Sequence, residues 1–147
     1  MELFAQPENV KHLRSFYDAI AGGDFTAARQ YLDPSLEWVG PDAPGLWFSG
    51  THRGPDALFK EVVEPAYGKM SQFCVQMKKF YEVGDHVVAV GRITGRNKMT
   101  GRELDAAIAD IWTLRNGKAV RCQSYHEPAK WLEALGKTPP QAQRLAA

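Results

Sequence analysis

The feature that most constrains this chain is a run of four long segments, in its second half, with the periodicity of β-strands. In residues 71–83, for example, apolar side chains fall mainly on odd positions and polar ones on even positions. A period of two is that of a strand, whose successive side chains point to opposite faces. Turn residues separate the segments, and the Asn116-Gly117 pair is a strong hairpin signal. The pattern predicts an antiparallel meander with one buried face over residues 71–83, 86–96, 103–115 and 118–125.

The first half of the chain has the spacing of helices instead. Apolar side chains in residues 8–21 recur every three or four positions, and Asp24 is a suitable cap for a short second helix. Helices followed by hairpin-connected strands indicate an α+β fold. Because a long sheet twists and curls, helices that cover its concave face leave a cavity at the open end. The predicted helices span residues 8–21, 24–31, a segment from Gly54-Pro55 to Pro65, and a last segment from Pro128 to Gly136.

Length and charge limit the number of domains and the partners. The 147 residues predict a single domain at 1–137, followed by a loose tail at 138–147. The net charge of +1 and the lack of a Lys/Arg-rich run argue against nucleic-acid binding, and no apolar stretch is long enough to span a membrane. Without a signal-peptide pattern, Cys74 and Cys122 are interpreted as reduced core residues, so we expect a cytoplasmic protein. We predict neither a metal nor a cofactor, because no metal-ligand spacing or nucleotide-binding motif is present.

Asp110 is the residue with the clearest chemical meaning. The other even positions of its strand are apolar, so alternation places the Asp110 carboxylate on the buried face, where an unpaired charge is costly. Burial would raise its pKa and make it a general acid or base in a pocket. Pairing with Arg14 or Arg92 would instead make it part of a structural ion pair. The sequence leaves both possibilities open. Ile108 and Trp112 share its face and are candidates for the pocket wall.

Three other polar residues are candidates for the site. Tyr125 and Glu127 have the same parity at the end of the last strand, and we predict that they assist Asp110 in acid–base chemistry. Alternatively, Glu127 caps the helix that begins at Pro128 and Tyr125 is an interface aromatic. His52, in a loop between glycines, is a candidate ligand-binding residue, although a single loop histidine is more often solvated.

Large aromatic side chains are candidates for the wall of the cavity. Trp38 and Trp47 flank the Gly- and Pro-rich loop of residues 40–54, whose length is typical of functional loops. Phe59 of the third predicted helix joins them. The alternative for each is a place in the ordinary core. The expected ligand is a small and largely apolar molecule.

The order of these elements resembles the SnoaL-like, ketosteroid-isomerase-related proteins of the nuclear-transport-factor-like superfamily. The resemblance extends from about residue 8 to residue 136, and it rests on the order and spacing of short motifs. These are Phe16-Tyr17-Asp18-Ala19-Ile20-Ala21-Gly22-Gly23-Asp24, Glu37-Trp38, Gly50-Thr51-His52-Arg53-Gly54-Pro55-Asp56-Ala57, Thr100-Gly101-Arg102, Asp110-Ile111-Trp112-Thr113-Leu114-Arg115-Asn116-Gly117-Lys118, Tyr125 and Trp131-Leu132-Glu133-Ala134-Leu135-Gly136.

The resemblance implies a cone-shaped α+β fold and a homodimer formed through the outer face of the sheet. Ketosteroid isomerases use an Asp base together with a Tyr and a protonated Asp that bind the oxyanion. In this chain the Tyr position falls at Phe16, with Tyr17 one place away, and the base position falls at Val39. Only the oxyanion Asp is matched, by Asp110, so authentic ketosteroid isomerisation is not expected. Phe16 and Tyr17 are nevertheless predicted to contact the ligand.

Two functional hypotheses follow. The first is an acid–base enzyme without a cofactor, similar to the isomerases, cyclases or hydrolases of this superfamily, with Asp110 as its main acid or base. The second is a binding or dimeric assembly module without catalysis, which the residues at Val39 and Phe16 favour.

Overall fold

The computed structural model describes residues 8–137 as one six-stranded sheet with helices packed against it. The helices are α1 (Glu8–Ala21), α2 (Phe25–Arg29), α3 (Pro55–Ala57), α4 (Glu64–Lys69) and α5 (Pro128–Ala134), and a π-helical segment (Leu58–Val63) joins α3 to α4. The strands are β1 (Leu32–Val39), β2 (Thr51–Arg53), β3 (Met70–Val83), β4 (His86–Asn97), β5 (Glu103–Arg115) and β6 (Lys118–His126). The predicted α+β class, with a curved sheet, N-terminal helices and a C-terminal helix, is confirmed.

The strands lie in the order β2-β1-β6-β5-β4-β3. The four long strands β3 to β6 form the predicted antiparallel meander. The sheet as a whole is mixed, however, because β1 pairs with β6 in parallel, a pairing that the predicted meander does not include. A hairpin forces an antiparallel pair, whereas β1 and β6 are far apart in sequence and no hairpin sets their direction.

Helix α1 covers the concave face with the residues that the helical spacing predicts. Its buried side chains are Val10, Leu13, Phe16, Tyr17 and Ile20, and Leu13 is completely buried. Asp24 caps α2 as predicted, since its side chain accepts a hydrogen bond of 3.0 Å from the Ala27 N–H. The aromatic ring of Phe16 packs edge-on against Trp112 of β5, and this contact fixes α1 over the centre of the sheet.

The third helix does not end at Pro65 as predicted, because helical backbone continues through Lys69. Proline normally breaks an α-helix because it lacks an N–H and its ring clashes with the carbonyl four residues earlier. The turn before Pro65 is widened to a π-helix, in which the Glu64 N–H donates to the carbonyl of Phe59, five residues back. The wider turn accommodates the ring, so the helix runs on to β3 and adds Ala66 to the pocket wall, beside Val62 and Val63 of the π-helical turn.

The loop predicted at residues 40–54 ends in a short strand that the sequence pattern does not reveal. Strand β2 pairs with the end of β1, and the Gly40 N–H donates to the carbonyl of Gly50 at 2.8 Å. Leu46 and Phe48 are buried, so this loop is part of the core.

Three further predictions concern the chain as a whole. The predicted loose tail at 138–147 lies outside the described residues. Cys74 and Cys122 are both free. Among residues 8–137 no helix is long and apolar enough to cross a membrane.

Candidate active site

A pocket opens between the concave face of the sheet and the elements that cover it. It encloses about 660 Å³ of space, with its open mouth included. Six of the eight side chains predicted to bind a ligand line it, namely Phe16, Tyr17, Trp38, Trp47, Ile108 and Trp112. The wall is apolar apart from the N–H groups of its tryptophans and one cluster of Tyr17, Asp110, Ser124 and His126. A ligand therefore meets charge and proton-exchanging groups at one place only along the described wall.

Asp110 lies at the centre of this cluster and is only 4% exposed. Its Oδ2 accepts a hydrogen bond from the Tyr17 hydroxyl at 2.5 Å, and its Oδ1 accepts one from the Ser124 hydroxyl at 2.5 Å. Two hydroxyl donors therefore satisfy the buried carboxylate, which would otherwise be costly to desolvate.

The arginines considered as partners of Asp110 lie elsewhere. The Nε of Arg92 is 2.7 Å from the Asp105 carboxylate on the outer face, and the guanidinium of Arg14 lies 4.4 Å from the centre of the Phe80 ring. No salt bridge to Asp110 exists within residues 8–137. Of the two possibilities that the sequence left open, the structure shows the carboxylate in a pocket rather than the ion pair.

Burial raises the pKa of Asp110 to about 6, against the two hydrogen bonds, which lower it. Burial, together with the nearby Asp110 charge, holds the pKa of Tyr17 well above its usual value, so its hydroxyl keeps its proton. The Trp112 indole N–H donates to the Tyr17 oxygen at 2.8 Å. Because an indole only donates, the Tyr17 proton must point toward Asp110.

Ser124 and His126 belong to this cluster, although neither was among the site residues predicted from the sequence. Ser124 is paired directly with Asp110 across β5 and β6, and its hydroxyl lies 2.8 Å from Nε2 of His126. Burial lowers the pKa of His126 to about 4, so the ring is neutral at physiological pH. Its Nδ1 is buried and has no hydrogen-bond partner within the described residues.

The structure does not bring the other two predicted catalytic residues to Asp110. Tyr125 is paired with Ala109, on the opposite face of the sheet, and is 54% exposed. Glu127 does not cap α5 with its side chain; its carboxylate accepts a hydrogen bond from the Ala107 N–H at 2.7 Å. That bond lowers the pKa of Glu127, which keeps it ionised.

His52 and Phe59 are also absent from the pocket wall. His52 is buried beside it, where Nδ1 is 2.8 Å from the Glu61 carboxylate and Nε2 is 3.1 Å from the carbonyl of Ser49. Phe59 is buried against Phe25, with the ring centres 5.5 Å apart. Both side chains thus support the helix and loop that line the pocket.

A one-residue irregularity explains why the predicted partners differ from the observed ones. Next to the Asn116-Gly117 turn, Leu114 pairs with Ala119, but Thr113 pairs with Arg121, so the register shifts by one. A regular hairpin would pair Asp110 with Gln123 and would turn Tyr125, rather than Ser124 and His126, toward the pocket. The shift is also visible in the burial of β6, where the fully buried Ala119 and Cys122 are separated by three positions instead of two.

No group of three or more His, Cys, Asp or Glu side chains in the described part of the chain is arranged to hold a metal ion. The chemistry that this arrangement supports is proton transfer: a carboxyl with a pKa of about 6, a neutral imidazole and a hydroxyl lie in one hydrogen-bonded row at an apolar cavity.

Known proteins share this architecture. A solved structure of TerC, co-crystallised with polyporic acid, is 23% identical and superposes with a TM-score of 0.80 over 89% of this chain and 100% of that one. An NTF2-like protein from Burkholderia xenovorans LB400 is 27% identical, with a TM-score of 0.73 over 88% and 97% of the chains. A putative SnoaL-like polyketide cyclase from Jannaschia sp. CCS1 is 17% identical, with a TM-score of 0.73 over 92% and 98%. No curated protein matches significantly.

The family model of the SnoaL-like domain matches residues 13–122, which include most of α1, the whole of β1 to β5 and the first part of β6. The chain therefore belongs to the SnoaL-like domain family.

Proposed function

We propose that this protein is an acid–base enzyme that uses its own side chains to move a proton on a small, largely apolar, oxygenated molecule. The observation that carries the proposal is the Asp110 carboxyl, buried in an apolar pocket without a cationic partner in the described residues and held by Tyr17 and Ser124. Efficient proton transfer needs a group whose pKa is near the working pH, and burial brings Asp110 to about 6.

The pocket also supports the expected type of substrate. Its wall is mostly aliphatic and aromatic, which favours an apolar body. Trp131 lines the same pocket, and its buried indole N–H has no hydrogen-bond partner within residues 8–137, so an oxygen on a ligand that reaches it would satisfy it. One relative was co-crystallised with polyporic acid, and another is described as a putative polyketide cyclase. Both support an oxygenated ring system as the substrate class.

The test uses 2-tetralone, a small apolar ketone with acidic hydrogens next to its carbonyl. In D₂O the wild-type protein should accelerate exchange of those hydrogens, measured by ¹H NMR, and Asp110→Asn should lower the rate by roughly 10²- to 10⁴-fold. Asp105→Asn, the same change at an exposed carboxylate, is the matched control and should keep the wild-type rate. Wild-type exchange no faster than buffer, or an unaffected Asp110→Asn, would contradict the proposal.

The same assay decides the roles that the sequence predicts for Tyr125 and Glu127. Both lie away from the pocket, so we expect Tyr125→Phe and Glu127→Gln to keep the wild-type rate. A large loss in either variant would support the sequence-based assignment instead.

A binding module without catalysis is the second candidate, and one observation favours it. Both oxygens of Asp110 already accept hydrogen bonds from the protein, as they would in a purely structural role. Tight binding of an apolar phenol or ketone without any exchange would support this alternative.

We also propose that the protein is a homodimer and acts in the cytoplasm. Partly exposed apolar side chains on the outer face of β4 and β5 support the dimer, and two free cysteines agree with a reducing compartment.

A further inference from the structure

The hydrogen-bonded row in the pocket contains fewer protons than it has places for them. Ser124 has one hydroxyl proton but two acceptors within reach, Oδ1 of Asp110 at 2.5 Å and Nε2 of His126 at 2.8 Å. Whichever acceptor receives that proton, the other bond must be made with a proton that comes from the neighbour. The state of one end of the row therefore fixes the state of the other.

Two arrangements satisfy all of these bonds. With Asp110 ionised, Ser124 donates to Asp110, His126 donates its Nε2–H to Ser124, and Nδ1 is left as a bare acceptor. With Asp110 protonated on Oδ1, the carboxyl donates to Ser124 and Ser124 donates to Nε2. The ring proton then sits on Nδ1, which becomes a donor. Oδ2 does not take part, since Tyr17 already donates to it.

We propose that Ser124 relays a proton from His126 to Asp110, and that His126 Nδ1 is the atom that takes the proton from the substrate, because it is the unpartnered nitrogen of a ring that lines the pocket. This deepens the proposed function and rests on it. The substrate is then an acid with its proton on an enol or phenol hydroxyl, or on a carbon beside a carbonyl.

The proton and charge balance of the relay is simple. The substrate O–H or C–H bond breaks and an Nδ1–H bond forms. The Nε2–H bond breaks as a new Ser124 O–H bond forms, and the old Ser124 proton moves to Oδ1 of Asp110. The substrate becomes an anion and Asp110 becomes neutral, while the imidazole changes tautomer and never carries a charge.

The surroundings of His126 favour such a relay over direct protonation of the ring. Phe48 and Trp131 pack on it with ring centres 4.9 and 6.3 Å away, and neither can stabilise an imidazolium by ion pairing. The titratable groups on the elements around it are Asp110 on β5, Tyr17 on α1 and Cys122 on β6, and burial keeps the last two protonated. Burial also lowers the pKa of His126 itself to about 4. A ring that stays neutral avoids the cost of a buried charge.

The test is the tautomer of His126, observed without any substrate. Protonated and unprotonated ring nitrogens have well-separated ¹⁵N shifts, and His126→Gln identifies the signals among the four histidines of the chain. In wild-type protein we expect the Nε2–H tautomer at pH 8 and the Nδ1–H tautomer at pH 5, below the Asp110 pKa of about 6. Asp110→Asn and Ser124→Ala should each hold one tautomer at both pH values.

Ser124→Thr keeps a hydroxyl at this position and should keep the tautomer switch of His126. This variant therefore distinguishes a relay through the hydroxyl from an effect of packing. A Ser124→Ala protein that still switches, or a wild-type ring with one tautomer while the Asp110 carboxyl titrates by ¹³C NMR, would overturn the relay. Failure of the proposed function looks different, because the tautomer switch would persist in a protein that exchanges no hydrogen of 2-tetralone. In the exchange assay, a relay predicts that Ser124→Ala loses rate and Ser124→Thr recovers it.

Discussion

Asp110 and His126 respond to burial in opposite directions, and the consequence is a proton that moves between them when the chain folds. Burial raises the pKa of Asp110 to about 6 and lowers that of His126 to about 4. In the unfolded chain the order is reversed, with Asp near 3.9 and His near 6.5 on average. At pH 5 each state of the chain holds one titrating proton on this pair, in addition to the N–H that a neutral imidazole always keeps. Folding moves that proton from the imidazole to the carboxyl.

The two residues should therefore give opposite pH dependences of stability. The Asp110 pKa is raised on folding, so its contribution to the free energy of unfolding is present below about pH 4 and is lost as pH rises through 6. The His126 pKa is lowered on folding, so its contribution is present above about pH 6.5 and is lost as pH falls through 4. In the wild-type protein the two contributions offset each other.

Single variants should reveal each contribution by urea unfolding between pH 4 and pH 7. Relative to the double variant, Asp110→Asn should gain stability as pH rises, because only His126 titrates, and His126→Gln should lose it. Each change should be on the order of 3 kcal/mol, from about two pKa units. Using the double variant Asp110→Asn with His126→Gln as the baseline cancels the contributions that the other carboxylates and histidines make to the pH dependence. Slopes of the same sign in the two single variants would contradict this account.

Among the elements, the close approach of the loop of residues 40–50 to β1 provides a sharp test of packing. A Cβ atom on Gly40 would lie 1.9 Å from the carbonyl oxygen of Phe48 and 2.9 Å from the Trp38 ring. Gly40→Ala should therefore displace the loop that carries Trp47 and Phe48 and lower the free energy of unfolding by roughly 1–3 kcal/mol.

Gly68 is the matched control for Gly40. It lies in α4 with ordinary helical backbone and nothing within 4 Å of an added Cβ. Gly68→Ala should raise stability by about 0.4–1 kcal/mol, since alanine reduces the freedom of the unfolded chain. Thermal or urea unfolding of both variants measures the difference in stability between them. Equal effects would show that the loop at Gly40 moves to make room for the added Cβ without losing stability.

The elements were more predictable than the contacts between them. The extent of α1 and the four-strand meander follow from periodicities of 3.6 and 2, which need only local information. Asp110 could be found for the same reason, since its strand face is otherwise apolar. The direction of β1 and the partners of Asp110 depend on register between strands, and a single irregularity near Thr113 changed which β6 side chains face it. The continuation of the helix past Pro65 could not be predicted, because the turn before it is a π-helix, a rare geometry that apolar periodicity does not reveal.

At the scale of the whole molecule, the outer face of the sheet carries apolar side chains that no element of the described chain covers. Val88 and Val90 of β4 and Ala109 and Ile111 of β5 are partly exposed there and form an apolar patch opposite the pocket. Strands that cover a pocket on one face and present apolar side chains on the other favour burial against a second copy of the chain.

Light scattering after size exclusion should give twice the monomer mass for the wild-type chain. Ile111→Arg places a charge in the centre of the patch and should shift the protein to the monomer, because an unpaired buried charge is costly. Met99→Arg adds the same side chain at a turn where residue 99 is 95% exposed, and it should leave the dimer intact. A wild-type monomer at all concentrations, or a dimer that survives Ile111→Arg, would place the interface elsewhere or remove it.

The one-residue irregularity between β5 and β6 decides which of two sets of β6 side chains faces the pocket. One set, which includes Ser124 and His126, faces the pocket, and the other, which includes Gln123 and Tyr125, faces outward. Losing or gaining a single codon beside the turn would exchange the two sets at once, whereas a point mutation alters one position. Length changes in this hairpin therefore offer lineages of this fold an abrupt route from one pocket chemistry to another, with the scaffold and every other wall of the cavity left in place.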